Sequence, residues 1–340
     1  MIVSVLFIAR EAGGWFPAIQ QIASNQEMSD ALSWAGTPGA LYETGIDNMT
    51  WGLSYGIVWL SVCAVGPWQS SRYLMAKDEH TVVRSAPIAA LGVFVLEFFV
   101  CMAAVLMRVI NPEISPSSHV WIWAAMNVLP TILGVVLLTG VLSAGISSAT
   151  TFLSLIGTSV NNDIIRSKEK DSIRIGRFVM VIVSVIVLVC ALANPPAIFV
   201  IMFLGGATAA SSWMPVAVGA VFSKRITKQG AFWGMLVGMV ALLLANIVQT
   251  AFGITLPSYL DPAIIGVACN VVAIIIGSCF TKVTKEEVDA RNSMFVVPEV
   301  NKDKKETLRT MNWLASGVVV GVLMSLLLLV LWVIPYMSAV

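Results

Sequence analysis

Eight stretches of this chain are apolar over something close to the thickness of a bilayer, and that constrains its fold more than any other feature. They lie at about 51–66, 86–107, 121–160, 178–193, 197–222, 231–253, 262–280 and 312–336, each bounded by charge, proline or glycine. The third reads as one short piece followed by one long helix. Hydrocarbon offers the backbone no hydrogen-bond partners, so apolar spans of this length must satisfy their own amides as helices. The expected fold class is therefore an all-α polytopic membrane protein. With 58% hydrophobic and 11% charged residues in 340, an ordinary globular composition is excluded.

The connections carry their charge in alternation. Segments 67–85, 161–177, 223–230 and 281–311 hold 3, 5, 3 and 7 Lys or Arg residues, which is 18 of 20. The connections between them, 10–50, 108–120, 194–196 and 254–261, hold only Arg10 and Arg108. The positive-inside rule puts the basic set in the cytoplasm, with the chain starting inside and its C-terminus extracytoplasmic. An integral plasma (inner) membrane location follows as the expectation. The basic residues form loops rather than a patch, which argues against nucleic acid as a partner and leaves the lipid bilayer itself.

Residues 1–9 are apolar but about half as long as a span requires. With no basic region before them and no cleavage site before Arg10 and Glu11, they read as the remnant of a truncated spanning helix rather than a signal peptide. Residues 10–50 read as an extracytoplasmic loop. It contains the pair Gly13 and Gly14, an amphipathic helix around Trp15–Trp34 and a turn at Thr37, Pro38 and Gly39. The mixed charge of 281–311 suits a cytoplasmic helix or mobile connector near the membrane surface. Five scattered cysteines without paired spacing read as small apolar residues. His80 and His119 read as surface histidines without ligand-type neighbours.

No metal-protease helix, nucleophile elbow or phosphate-binding loop stands in a suitable context, so the expectation is a protein that is not an enzyme. Interrupted helices stand out instead. Gly66 and Pro67 end the first span, and transporters build substrate sites from such discontinuous helices, although a plain kink is the alternative. Trp59, Pro67 and Gln69 are therefore candidates for a substrate path, with Trp213 from the Gly205–Pro215 zone of small residues. That zone reads as helix packing, or alternatively as a gate. Glu97 is the one acidic residue in mid-span and an open functional suspect. In the long helix after Pro130, Ala144, Ser147 and Ser148 stand at i, i+3 and i+4 on one face. Two hydroxyls beside a backbone carbonyl suit Na+, a hard cation of low charge; close packing and bonding back to the preceding turn are the alternatives.

Three motifs together resemble the sodium:solute symporter family of sodium-coupled proline, pantothenate and sugar carriers. Ala220-Val221-x-x-x-Arg225-x-x-x-x-Gly230-Ala231-x-x-Gly234-Met-Leu-Val-Gly238 is similar to its cytoplasmic-loop-to-helix pattern. Pro67-x-x-x-x-Arg72-x-x-x-Ala76-Lys77 is similar to the segment after its broken sixth core helix. Ala144-x-x-Ser147-Ser148, with Asp163 at the helix end, resembles its eighth core helix. The resemblance implies that the Ala144 carbonyl and the hydroxyls of Ser147 and Ser148 bind sodium as coupling ion. Arg72, Asp163, Arg225 and Gly230 become cytoplasmic-side structural or gating residues.

The resemblance also implies a leucine-transporter-type inverted-repeat fold. Residues 51–222 would be its second five-helix repeat (core helices six to ten), and 223–340 three additional spans including the connector 281–311. Helix one, which supplies the remaining sodium ligands and half the substrate site, has no counterpart here. The expected function is sodium-coupled symport of a small organic solute by alternating access, in an incomplete chain that needs its N-terminal half. That half could lie in a split gene or a separate chain. The alternatives are a non-transporting subunit or remnant, and a proton-coupled carrier using Glu97.

Overall fold

A computed structural model describes residues 1–25, 29–33, 42–115, 117–166, 169–193, 198–254 and 256–340. The expected turn at 37–39 and the connection 194–196 lie outside them. Among the described residues, eight single helices are long and apolar enough to cross a membrane: Gly45–Leu74, Glu79–Ile110, Thr131–Ile165, Ser172–Leu192, Val200–Phe222, Lys228–Phe252, Pro262–Cys279 and Lys304–Met337. Each contains most of one of the eight apolar stretches, and no strand occurs among the described residues. The chain is an all-α polytopic membrane protein.

The helices run past the apolar limits at several ends, because capped and charged first turns stay helical outside hydrocarbon. Residues 45–50, expected as loop, open the third helix behind the Thr44 cap, whose hydroxyl accepts from Asp47 N at 3.1 Å. The amphipathic helix covers Trp15–Ser24 only. The basic connecting segments are also more helical than expected of loops, as the ranges below show.

The elements group into two compact units by contact: Met1–Ala40, Ala76–Thr150 and Pro298–Val340 in one, Leu41–Met75 and Thr151–Val297 in the other. In the first unit, α1 (Ile2–Glu11) bends by 56° into α2 (Trp15–Ser24). The corner is Gly13 and Gly14, at φ +79° and +112°, which side chains other than glycine's avoid. Both helices pack on α5 (Glu79–Ile110), burying Val5, Ile8, Ile19 and Leu106 in one cluster with Ala124 of α6 (Val120–Asn127). The first part of α7 (Thr131–Ser159) adds Leu137. The N-terminal end of α5 is tied to α14 (Lys304–Leu328) by polar contacts: Arg84 pairs with Glu306, and Arg84 Nε donates to Thr310 Oγ1 at 3.0 Å. His80 Nδ1 lies 2.9 Å from the same hydroxyl, so this histidine is a half-buried interhelical contact rather than a free surface residue.

The second unit holds α3 (Gly45–Val65), α4 (Pro67–Leu74), the end of α7, α8 (Glu169–Leu192), α9 (Ile198–Thr208), α10 (Met214–Phe222), α11 (Lys228–Phe252), α12 (Pro262–Cys279) and α13 (Lys285–Met294). Its closest pair is α11 with α12. Gly230, Gly234 and Gly238, one turn apart, are buried against Ser278, Ile274 and Asn270 in turn. Any Cβ on this stripe would fall below 3 Å from the facing helix, so glycine is required by close approach.

Prolines interrupt these helices in a repeated way. Pro215 has no N–H for the Ser211 carbonyl one turn back, and the chain widens into a π-helical turn over Ala209–Trp213. Asn270 of α12 fills the vacancy: its Nδ2 donates to Ser211 O at 2.7 Å and to Ser212 O at 2.8 Å. Pro335 of the short α15 (Ile334–Met337) likewise deprives Leu331 O, within a second π-helical turn at Leu329–Val333. There Trp15 Nε1 of α2 donates to Leu331 O at 2.6 Å. In both units a side-chain donor from another helix replaces the amide that proline lacks, as an apolar medium requires.

At the other end of α12, Asp261 is 5% exposed and accepts from Ala263 N at 2.8 Å as the helix cap. Burial raises its pKa above the ordinary carboxylate value. The folded state thus holds this proton more tightly than the unfolded one, so stability falls as pH rises through the window between the two pKa values. Asp261→Asn, whose Oδ1 can keep the cap, should raise the thermal midpoint at pH 8 and leave it unchanged near pH 4. Midpoints in detergent from pH 4 to 8 check this; an equal offset at every pH would refute it.

Candidate functional site

The sodium-site candidates fall in the first unit, and the substrate-path and cytoplasmic candidates in the second. On α7, every residue from Thr139 to Thr150 is exposed, including Ala144, Ser147 and Ser148. A long helix that exposes only apolar residues is ordinary in lipid, but this stretch carries five hydroxyls: Thr139, Ser143, Ser147, Ser148 and Thr150. Ser143 donates back to Thr139 O at 2.8 Å and Thr150 to Ser147 O at 2.9 Å, which satisfies those two inside the helix. The chemistry of the Ala144, Ser147 and Ser148 oxygens, neutral and hard, fits Na+. Three oxygens on an exposed face fall short of the six or so a hard cation gathers, so by themselves they would not complete a sodium site. No group of three His, Cys, Asp or Glu side chains able to hold a metal occurs among the described residues.

The first discontinuity is built as its sequence suggests. Gly66 leaves the helix at φ −60° and ψ 128°, and Pro67 starts α4 as its first residue, where a proline costs nothing. The Gly66 carbonyl accepts from Gln69 N and Ser70 N, both at 2.9 Å. Gly66 is itself buried, with a Cβ there falling 3.1 Å from the Trp68 ring. Trp68 packs edge-on against Phe152 of α7, with centroids 5.0 Å apart. Of the path candidates, Pro67 is exposed, while Trp59, Gln69 and Trp213 are half-buried. Trp59 stands in an aromatic row with Tyr55, centroids 5.9 Å apart, and Tyr55 stacks on Phe203 at 5.9 Å. Its Nε1 is buried without a hydrogen-bond partner among the described residues, an unmet donor of the kind a solute or water satisfies.

The zone around Trp213 is packed. Ser211 and Ser212 are buried, Ser211 Oγ bonding to Ala207 O at 2.8 Å and Ser212 Oγ to Met235 O at 3.0 Å. Sequence reasoning had no signal for Asn270, whose role depends on which helix lies opposite Pro215.

Of the cytoplasmic candidates, Gly230 is buried in the α11–α12 contact, whereas Arg72, Asp163 and Arg225 are exposed and form no ion pair among the described residues. Asp163 sits in a π-helical turn, Val160–Ile165, whose end is closed by Arg166 at φ +52°. The buried side chain there is Asn161, which sequence reasoning passed over; its Nδ2 donates to Ser172 Oγ at 2.6 Å. Glu97 is exposed on α5, with no hydrogen bond or ion pair among the described residues.

No curated protein matches the chain in a sequence comparison. A family model does, over residues 3–238, a stretch that takes in the glycine stripe, both proline breaks of the second unit and the hydroxyl face of α7. The chain belongs to the sodium:solute symporter family.

Proposed function

We propose that this chain takes part in sodium-coupled symport of a small organic solute by alternating access. Family membership makes it a transporter component, and the exposed hydroxyl face of α7 is the observation that carries the finer reading. In this reading Na+ is cargo, held by the Ala144 carbonyl and the hydroxyls of Ser147 and Ser148. Helices of a first repeat, laid on that face, supply its remaining oxygens. Binding in one conformation and not the other would couple the sodium gradient to solute movement. Trp59, Gln69 and Trp213 line the solute path beside the Gly66–Pro67 break, and Trp59 Nε1 offers it a donor. Arg72, Asp163 and Arg225 act on the cytoplasmic side.

The test is uptake of a labelled solute panel into proteoliposomes under an inward Na+ gradient. The chain is reconstituted alone and together with first-repeat helices of a family member. Uptake that needs both the gradient and the added helices is expected. Uptake by the complete assembly that is indifferent to Na+, or that follows a pH gradient instead, would overturn the sodium reading. Full activity of the chain alone would overturn the need for the first repeat.

A further inference from the structure

We infer that the second unit holds a binding site for an anionic glycerophospholipid at the end of α10. Two cavities meet there. The larger, about 840 Å³, lies between α3, α10 and α12 and is walled by apolar side chains such as Ile57, Val218, Val271 and Ile275. The smaller, about 510 Å³, lies under α13 and the 223–228 segment. They share Ser223, Lys224, Ile226 and Val283 as lining, so an apolar cavity and a charged one adjoin across these residues.

The charged part is strongly cationic. Lys224, Arg225, Lys228 and Arg291 line the two adjoining cavities, against a single carboxylate, Glu287. Glu287 is already engaged, accepting from Lys228 N at 2.7 Å and Thr284 N at 2.6 Å, which lowers its pKa and keeps it ionised. Arg291 reaches in from α13 and donates through Nη2 to Val221 O at 3.0 Å. Its Nη1 is buried and has no hydrogen-bond partner among the described residues. A guanidinium nitrogen removed from water and left unpaired is costly, and an anion beside it would repay that cost.

The cations stand where two spans end, since α10 stops at Phe222 and α11 begins at Lys228. An occupant must therefore be anionic at the membrane surface and apolar below it. A soluble anion would fill only the charged part, and a zwitterionic lipid would leave the cations uncompensated. An anionic phospholipid matches both parts: phosphate among Lys224, Lys228 and Arg291, and an acyl chain along the apolar wall. Basic pockets between spans on the cytoplasmic side recognise lipid headgroups by this chemistry.

Native mass spectrometry of the purified chain in detergent tests the site, with phosphatidylglycerol, phosphatidylcholine or inorganic phosphate added. One phosphatidylglycerol should be retained at concentrations at least about 10-fold below those needed for phosphatidylcholine, roughly a 1.4 kcal/mol preference. It should also raise the thermal midpoint. Arg291→Gln should abolish the preference; because Arg291 also holds Val221 O, Lys224→Gln/Lys228→Gln separates charge from fold and should do the same. Val271→Trp, which fills the apolar wall, should lower retention while the cations stay in place. Equal retention of the two lipids, or wild-type retention in the charge variants, would overturn the assignment. A midpoint shift with inorganic phosphate equal to that with phosphatidylglycerol would reduce it to a plain anion site.

Discussion

Gly238→Leu should leave little or no folded protein, with a loss of stability of about 3 kcal/mol or more. A Cβ at residue 238 would stand 2.8 Å from Asn270 Cβ and 3.1 Å from its Nδ2, and closer still to the Ser211 carbonyl. Those are backbone and the base of a side chain, which cannot swing aside as a flexible tip can. Overpacking alone costs about 1–3 kcal/mol. Displacing Asn270 then takes a donor away from the buried carbonyls at the Pro215 break, where the one left unpaired costs about 1–3 kcal/mol. The sum is a large fraction of the stability of a typical domain, about 5–15 kcal/mol. The variant should appear as a lost monodisperse peak in detergent chromatography and a collapsed thermal midpoint. Gly321→Leu is the control, because nothing lies within 4 Å of a Cβ built there. Similar midpoints for the two variants would mean that the glycine stripe is not what holds α11 to α12.

The membrane fold was legible because its signal is local. A run of apolar residues must be a helix wherever it lands in the bilayer, and eight such runs became eight long helices. The glycine stripe was visible as a motif, but its cause was not, since that required knowing that Ser278, Ile274 and Asn270 stand opposite. Pro215 stood out in the sequence as a possible bend, whereas Pro335, at the end of the last apolar stretch, was not singled out. Their replacement donors, Asn270 and Trp15, lie 55 and 320 residues away in sequence, and no spacing rule connects them. His80 read as a surface residue for the same reason, with its partner Thr310 on a distant helix. Helix ends were misjudged where caps such as Thr44 and Asp78 carry regular structure into polar sequence. The substrate path stays the least legible part. Direction along a half-buried face decides it, and Trp59 showed its unmet donor only once its neighbours were in place.

Ser147→Ala and Ser148→Ala should each raise the Na+ concentration for half-maximal uptake about 10- to 100-fold in the assembled carrier. Losing one oxygen that bonds a charge forfeits about 1.5–3 kcal/mol, and each 1.4 kcal/mol is a factor of ten. The two residues share one face and one ion, so the double variant should lose saturable Na+ dependence rather than show the product of the single effects. At saturating Na+ the single variants should recover most of the maximal rate, because the ion restores the conformation that the weakened site cannot hold at low concentration. Ser148→Thr, which keeps the oxygen, should stay near wild type. The competing account is that these hydroxyls only bond back within α7, as Ser143 and Thr150 do. Removing such a bond would alter yield or maximal rate and leave the Na+ midpoint in place. A Na+ midpoint within about twofold of wild type in both single variants, far below the shift a lost ligand produces, would therefore remove these serines from the ion site. The exposed face of α7 would then be a packing surface for the first repeat and nothing more.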